Sequence, residues 1–146
     1  SGHRMALTER SDGITVIDDS YNASPESMRA ALRGLLAVAE GGRTVAVLGE
    51  MLEMGEAALH AHLDIGHDVV RLGIDQLVVV GPGAKAIHDS AVREGSWGAE
   101  AVYVATIDEA HQHLLGYLTT GDTVLVKASQ GAGLWKLADQ LVGVNQ

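Results

Sequence analysis

The chain has 146 residues, 47% of them hydrophobic and 20% charged, with no cysteine and no phenylalanine. That describes one folded domain, residues 1–146, with an aliphatic core and neither a disulfide framework nor a thiolate metal site. Nineteen acids against ten bases give a formal charge of −9, and no Lys/Arg cluster tracks nucleic-acid phosphates. No run of apolar residues approaches membrane-spanning length and no signal peptide is evident, so a cytoplasmic, monomeric protein is expected.

Arg4 to Glu9 reads as a short strand, Ser11-Asp12-Gly13 as a turn, and Gly13 to Ile17 as a buried strand in a hairpin with the first. The stretch Asp18-Asp19-Ser20-Tyr21-Asn22-Ala23-Ser24-Pro25-Glu26-Ser27-Met28 follows. Ser24 is placed to cap a helix, Pro25 to open it and Glu26 to sit in its first turn. Met28, Leu32, Leu35, Leu36 and Ala39 then recur at helical spacing, up to the break at Glu40-Gly41-Gly42. Two carboxylates, a phenol and an amide are therefore expected in a strand-to-helix loop, the edge at which open α/β sheets bind ligands.

The pattern then alternates. Strands are predicted at Arg43–Gly49, Gln76–Gly81, Ala101–Ala105 and Asp122–Lys127. Helices are predicted from Ala57 to Leu72 (apolar face Leu59, Leu63, Gly66, Val70), Ala84 to Glu94, Asp108 to Leu118 with Asp108 as cap, and Gly133 to Val142. Glu50 to Glu56 forms an acidic loop between the first of these strands and its helix. Continuous apolar strands between amphipathic helices specify a Rossmann-like α/β domain. It has a mostly parallel sheet, helices on both faces and one antiparallel edge strand near the N-terminus.

Several chemistries are weakly represented. Gly81-Pro82-Gly83-Ala84-Lys85-Ala86 fits G-x-G-x-x-A, which leaves a stand-alone dinucleotide-binding module as the alternative function. Pro82 removes an amide that such a loop needs, so a tight turn is the better reading. His60, His62 and His67 share one predicted helix, and His111 and His113 another, without a zinc-protease spacing; no metal site is expected. Neither G-x-S-x-G nor G-x-x-x-x-G-K-[ST] occurs, so no serine-hydrolase elbow and no phosphate-cradling loop is present. Lys127 and Ser129, where the last strand runs into a helix, form a plausible anion pocket.

Three segments together resemble the C-terminal domain of the Mur ligases, of the MurF type. They are Asp18 to Met28, Val47 to Glu56 with His62 and Gly66 beyond, and Asp122 to Ser129. The resemblance implies part of a three-domain, ATP- and Mg²⁺-dependent ligase of bacterial peptidoglycan synthesis that adds D-alanyl-D-alanine to UDP-MurNAc-tripeptide. Its phosphate loop, metal ligands and UDP-sugar site would lie in N-terminal and central domains, and this chain alone would hold no catalytic residue and be inactive. The resemblance puts Asp19, Tyr21 and Asn22 at the nucleotide, with Asp19 toward the ribose and Asn22 toward the phosphates. It puts Lys127 and Ser129 at the acceptor dipeptide. His62 fits the pattern too, either in a functional role or packing its helix against the Glu50–Glu56 loop. Folylpolyglutamate synthases share the fold but carry histidine where Asn22 stands. Ala128, Gln130 and Trp135 depart from the usual glycine, arginine and acid, so no bidentate anion contact is expected at Gln130. Asp19 and Lys127 are both expected in exposed loops, where substitution spares stability.

Overall fold

Residues 2–95 and 99–143 are described by a computed structural model. In chain order the elements are β1 (Ala6–Glu9), β2 (Thr15–Asp19), α1 (Pro25–Ala39), β3 (Thr44–Leu48), α2 (Ala58–Arg71), β4 (Gln76–Val80), α3 (Lys85–Glu94), β5 (Ala101–Val104), α4 (Ile107–Tyr117), β6 (Thr123–Lys127) and α5 (Trp135–Gly143). The six strands form one sheet in the order β1-β2-β6-β3-β4-β5. Only β1 runs antiparallel, pairing Ala6 with Asp18 and Glu9 with Thr15; the other pairs are parallel. The fold class read from the sequence is therefore the observed one.

Alternation along the strands divides the core into two layers. Ile17, Ala46, Leu48, Leu77, Val79 and Leu125 pack against α1, α2 and α3. Val16, Val45, Val47, Val78, Val124 and Val126 pack against α4 and α5. The chain moves across the sheet toward β5 on the first face and returns on the second. The strand-to-helix connections of β3 and β6, which are neighbours, thus leave in opposite directions and open a crevice at their carboxyl ends. No helix among the described residues is long and apolar enough to cross a membrane.

Local details depart from expectation in three places. α1 begins as expected, with Ser24 accepting from the Ser27 amide, but the left-handed residue that ends it is Glu40 itself. α4 is capped by Thr106 in a reciprocal box with Glu109, not by Asp108, because Thr106 keeps the extended backbone that an N-cap needs. α2 has its expected length but a different phase. Leu59 is 60% exposed, while Ala61, His62, Ile65, Gly66 and Val69 are buried. The small residues on that face admit α3 closely: a side-chain carbon on Gly66 would overlap Ser90 Oγ and the Ile87 carbonyl.

At the amino-terminal end of the sheet, Arg43 donates through Nε and Nη2 to Asp122 (2.8 and 2.5 Å) and lies 4.0 Å over the Tyr117 ring. The hydrogen bond to Asp122 holds the Arg43 guanidinium even more firmly charged than usual. Burial pushes the Tyr117 phenol above its ordinary value, and Arg43 partly opposes that rise.

Candidate functional site

The parallel register places Asp19 and Lys127 side by side as the last residues of β2 and β6. Lys127 is 2% exposed. Its ammonium donates to Asp19 Oδ2 at 2.7 Å and to the Asn22 carbonyl at 2.9 Å. Both residues thus belong to strands, not to exposed loops, and the expectation that their substitution spares stability is corrected. Two apolar strands reach the sheet end with charged last residues, and mutual pairing offsets part of the cost of burying them.

Asp18 and Asp19 do not act as a pair, because consecutive strand residues project to opposite faces. Asp19 points toward the α1 side. Asp18, 5% exposed, points toward the α5 side, accepts from the Ser20 amide and hydroxyl, and contacts His3 Nδ1 at 2.5 Å.

Three loops meet above the Asp19–Lys127 pair. Ser129 joins them: its amide donates to the Glu50 carbonyl (2.9 Å) and its hydroxyl accepts from the Leu52 amide (2.9 Å). The Met51 amide donates to His62 Nε2 (2.9 Å), while His62 Nδ1 meets the Ala58 carbonyl at 2.6 Å. An imidazole nitrogen that accepts from an amide carries no proton, so His62 is the neutral Nδ1–H tautomer. It packs α2 against the 50–56 loop and does not face the crevice. The loop continues into Glu53, held at φ 61°. Ala128 is accommodated because residue 49 is glycine, where an added carbon would come within 2.9 Å of the Ala128 methyl.

The result is a cleft of about 380 Å³ lined by Tyr21, Asn22, Leu52, Glu53, Ser129, Gln130 and Gly131. The structure therefore brings Tyr21, Asn22 and Ser129 to one surface, with Asp19 and Lys127 as the charged pair beneath it. Gln130 stands at the rim, where its neutral amide replaces an arginine fork.

The segment before β1 is a contributor that sequence reasoning missed. The Tyr21 amide donates to the His3 carbonyl (2.9 Å), the Met5 amide donates to Asp19 Oδ1 (3.1 Å), and the Arg4 guanidinium lies 3.9 Å over the Tyr21 ring. His3 and Met5 both adopt positive φ, 66° and 45°. Residues 3–5 thus form a strap that fixes the β2–α1 loop. The only signal in the sequence was Arg4, whose partner lies in a distant segment.

A second cleft of about 350 Å³ lies beside the first, at the ends of β3, β4 and β5, and includes Glu50, Gly81, Pro82, Gly83, Thr106 and Ala132. Gly81, at φ 93°, starts a turn of 3₁₀ helix over Pro82–Ala84. The Glu50 carboxylate lies so close to Gly83 that any side chain there would strike it. An acid held against this glycine turn opposes a pyrophosphate, which removes support from the dinucleotide alternative. Of the remaining histidines, His67 pairs with Glu94 (2.5 Å) and His113 with Gln76 (2.7 Å), and His60 is exposed.

The family described as "Mur ligase, glutamate ligase domain" matches residues 3–130. The UDP-N-acetylmuramoyl-tripeptide–D-alanyl-D-alanine ligase of Mycobacterium leprae is 50% identical over 98% of this chain, which covers 30% of that protein. Among solved structures, a MurF of Acinetobacter baumannii superimposes with a TM-score of 0.82 at 28% identity, over 98% of this chain and 31% of that one. A MurF ligase of Thermotoga maritima in complex with ADP superimposes at 0.79 and 24% identity, over 99% and 31%. The chain spans about 30% of the length of the curated relatives it matches. With the family match covering most of its length, and with the fold and the convergence of β2, β3 and β6 loops agreeing, this chain belongs to the Mur ligase, glutamate ligase domain family.

Proposed function

We propose that this chain is the C-terminal domain of an ATP-dependent ligase that joins D-alanyl-D-alanine to UDP-MurNAc-tripeptide in the bacterial cytoplasm. The observation that carries the reading is the meeting of three strand-end loops on one cleft that presents Tyr21, Asn22 and Ser129 above a neutralised Asp19–Lys127 pair. The names of the relatives supply the reaction class. In that reaction ATP phosphorylates the tripeptide carboxylate, and the amine of the dipeptide displaces phosphate from the acyl phosphate to form the amide. Mg²⁺ and the triphosphate are held by the remaining two thirds of the protein.

The residues present fit a nucleotide at this edge. Asp19 keeps lone pairs free beyond its bonds to Lys127 and Met5, enough to accept from a ribose hydroxyl. Asn22 offers its side-chain NH₂ toward the phosphate side, since its Oδ1 is taken by the Ala23 amide. Tyr21 supplies a ring face braced from behind by Arg4. The Ser129 hydroxyl faces the acceptor, and Lys127 supports that side from below by holding Asp19 and the Asn22 carbonyl in place.

The test is phosphate release by the full-length enzyme with ATP, UDP-MurNAc-tripeptide and D-alanyl-D-alanine. Asn22→Ala and Ser129→Ala are each expected to lower kcat/KM by about tenfold or more, the worth of a hydrogen bond to a charged group. Wild-type kinetics in both variants would remove the site assignment. Absence of any tripeptide- and dipeptide-dependent phosphate release in the wild type would remove the reaction.

A further inference from the structure

On the opposite side of β2 from the nucleotide loop, a cleft of about 400 Å³ opens between β1 and α5, lined in part by His3, Thr8, Asp18 and Asp139. One donor atom from each of His3, Asp18 and Asp139 lies within 4.8 Å of the other two. We propose that His3 Nε2 and the Asp139 carboxylate form a binding site for a divalent transition cation such as Zn²⁺, with Asp18 orienting the imidazole from behind.

The two bonds of His3 differ in kind. Nδ1 contacts Asp18 Oδ2 at 2.5 Å, a hydrogen-bond distance too short for two atoms sharing a metal. Nε2 faces Asp139 Oδ1 at 3.8 Å, too long for a hydrogen bond. Two ligand atoms each about 2.1 Å from one zinc ion stand about 3.4 Å apart at a tetrahedral angle and further apart at a wider one. The wide gap is therefore the one that fits an ion. The arrangement of carboxylate, imidazole and open nitrogen is the one by which a buried acid fixes the tautomer and aim of a metal-binding histidine.

Asp18 is well placed to hold the ring. It is nearly inaccessible, and its other oxygen is taken by the Ser20 amide and hydroxyl. The backbone is held as well, since His3 keeps φ 66° while its carbonyl accepts from Tyr21. The charge count also asks for a cation. Among the described residues neither Asp18 nor Asp139 pairs with a lysine or arginine. One nitrogen and one carboxylate oxygen, with room for waters, select a borderline ion such as Zn²⁺ over Mg²⁺ or Ca²⁺. An ion there would bridge the strap to α5.

Isothermal titration of the chain with zinc chloride tests the site, with magnesium chloride as the comparison. Saturable binding of one Zn²⁺ is expected, without heat from Mg²⁺. It should be lost in His3→Gln and weakened about tenfold in Asp18→Asn and Asp139→Asn. Asp139 lies on an exposed helix surface, so its variant keeps the wild-type far-ultraviolet circular dichroism. Silence toward Zn²⁺ would overturn the proposal. So would binding unchanged in both His3→Gln and Asp139→Asn, which places the ion on other histidines.

Discussion

Lys127 Nζ and Asp19 Oδ2 stand 2.7 Å apart at the ends of adjacent parallel strands, with the two side chains 3% and 13% exposed. Each neutralises the other where Lys127 is buried and Asp19 only partly exposed. Lys127→Met and Asp19→Leu, taken singly, are each expected to cost about 3–5 kcal/mol, because each strands a buried charge. The double variant is expected to recover part of that loss. Urea unfolding of the three variants checks both statements, and simple addition of the single losses in the double variant would contradict them.

His62 holds the 50–56 loop through one backbone amide. His62→Phe keeps the apolar bulk but leaves the Met51 amide without its acceptor, at an expected cost of about 1–3 kcal/mol. Nitrogen chemical shifts of the wild-type ring should show the Nδ1–H tautomer at neutral pH. An Nε2–H ring would contradict the assignment.

Two helical glycines should respond oppositely to the same substitution. Gly66→Ala forces α2 away from Ser90 and Ile87 and is expected to destabilise by about 1–3 kcal/mol. Gly116, in α4, has open space around the position of an added carbon. Gly116→Ala is expected to stabilise by about 0.5–1 kcal/mol, through helix propensity and a less flexible unfolded chain. Thermal denaturation of the pair reads both signs in one experiment.

Tyr117 links stability to alkaline pH. Burial raises its folded-state value above 10.0, with Arg43 pulling it partly back, so the unfolded chain loses this proton first. The stability contributed is complete below pH 10 and declines as pH rises through the folded value. Stability of the wild type should therefore fall more steeply than that of Tyr117→Phe between about pH 9 and 11. Parallel curves for the two proteins would show that Tyr117 is not the source.

Strand periodicity, turn residues and the Ser24-Pro25 helix start were enough to read the sheet, its two covered faces and its antiparallel edge. Tyr21, Asn22 and Ser129 were legible as candidates because strand-end loops of such sheets bind ligands. The phase of α2 was legible only at Gly66, since Leu59 and Leu63 outweigh Ala61 and His62 on any hydrophobicity count, whereas packing rewards the small residues that let α3 approach. The burial of Lys127 was not legible: a charged residue after an apolar run reads as a strand exit, and only the parallel register with β2 reveals its partner. The strap from His3 to Met5 depends on left-handed backbone at two residues that have no intrinsic preference for it.

Strand β6 closes the sheet between β2 and β3, although it is the last strand to be made. Until residues 123–127 leave the ribosome, α1 spans an empty slot and the inner edges of β2 and β3 have no hydrogen-bonding neighbour. The nascent chain therefore carries two unpaired strand edges while residues 49–122 are made, and Asp19 waits for Lys127. Assembly of the sheet and assembly of the candidate site become a single late event, so a nascent chain stopped before β6 would lack both.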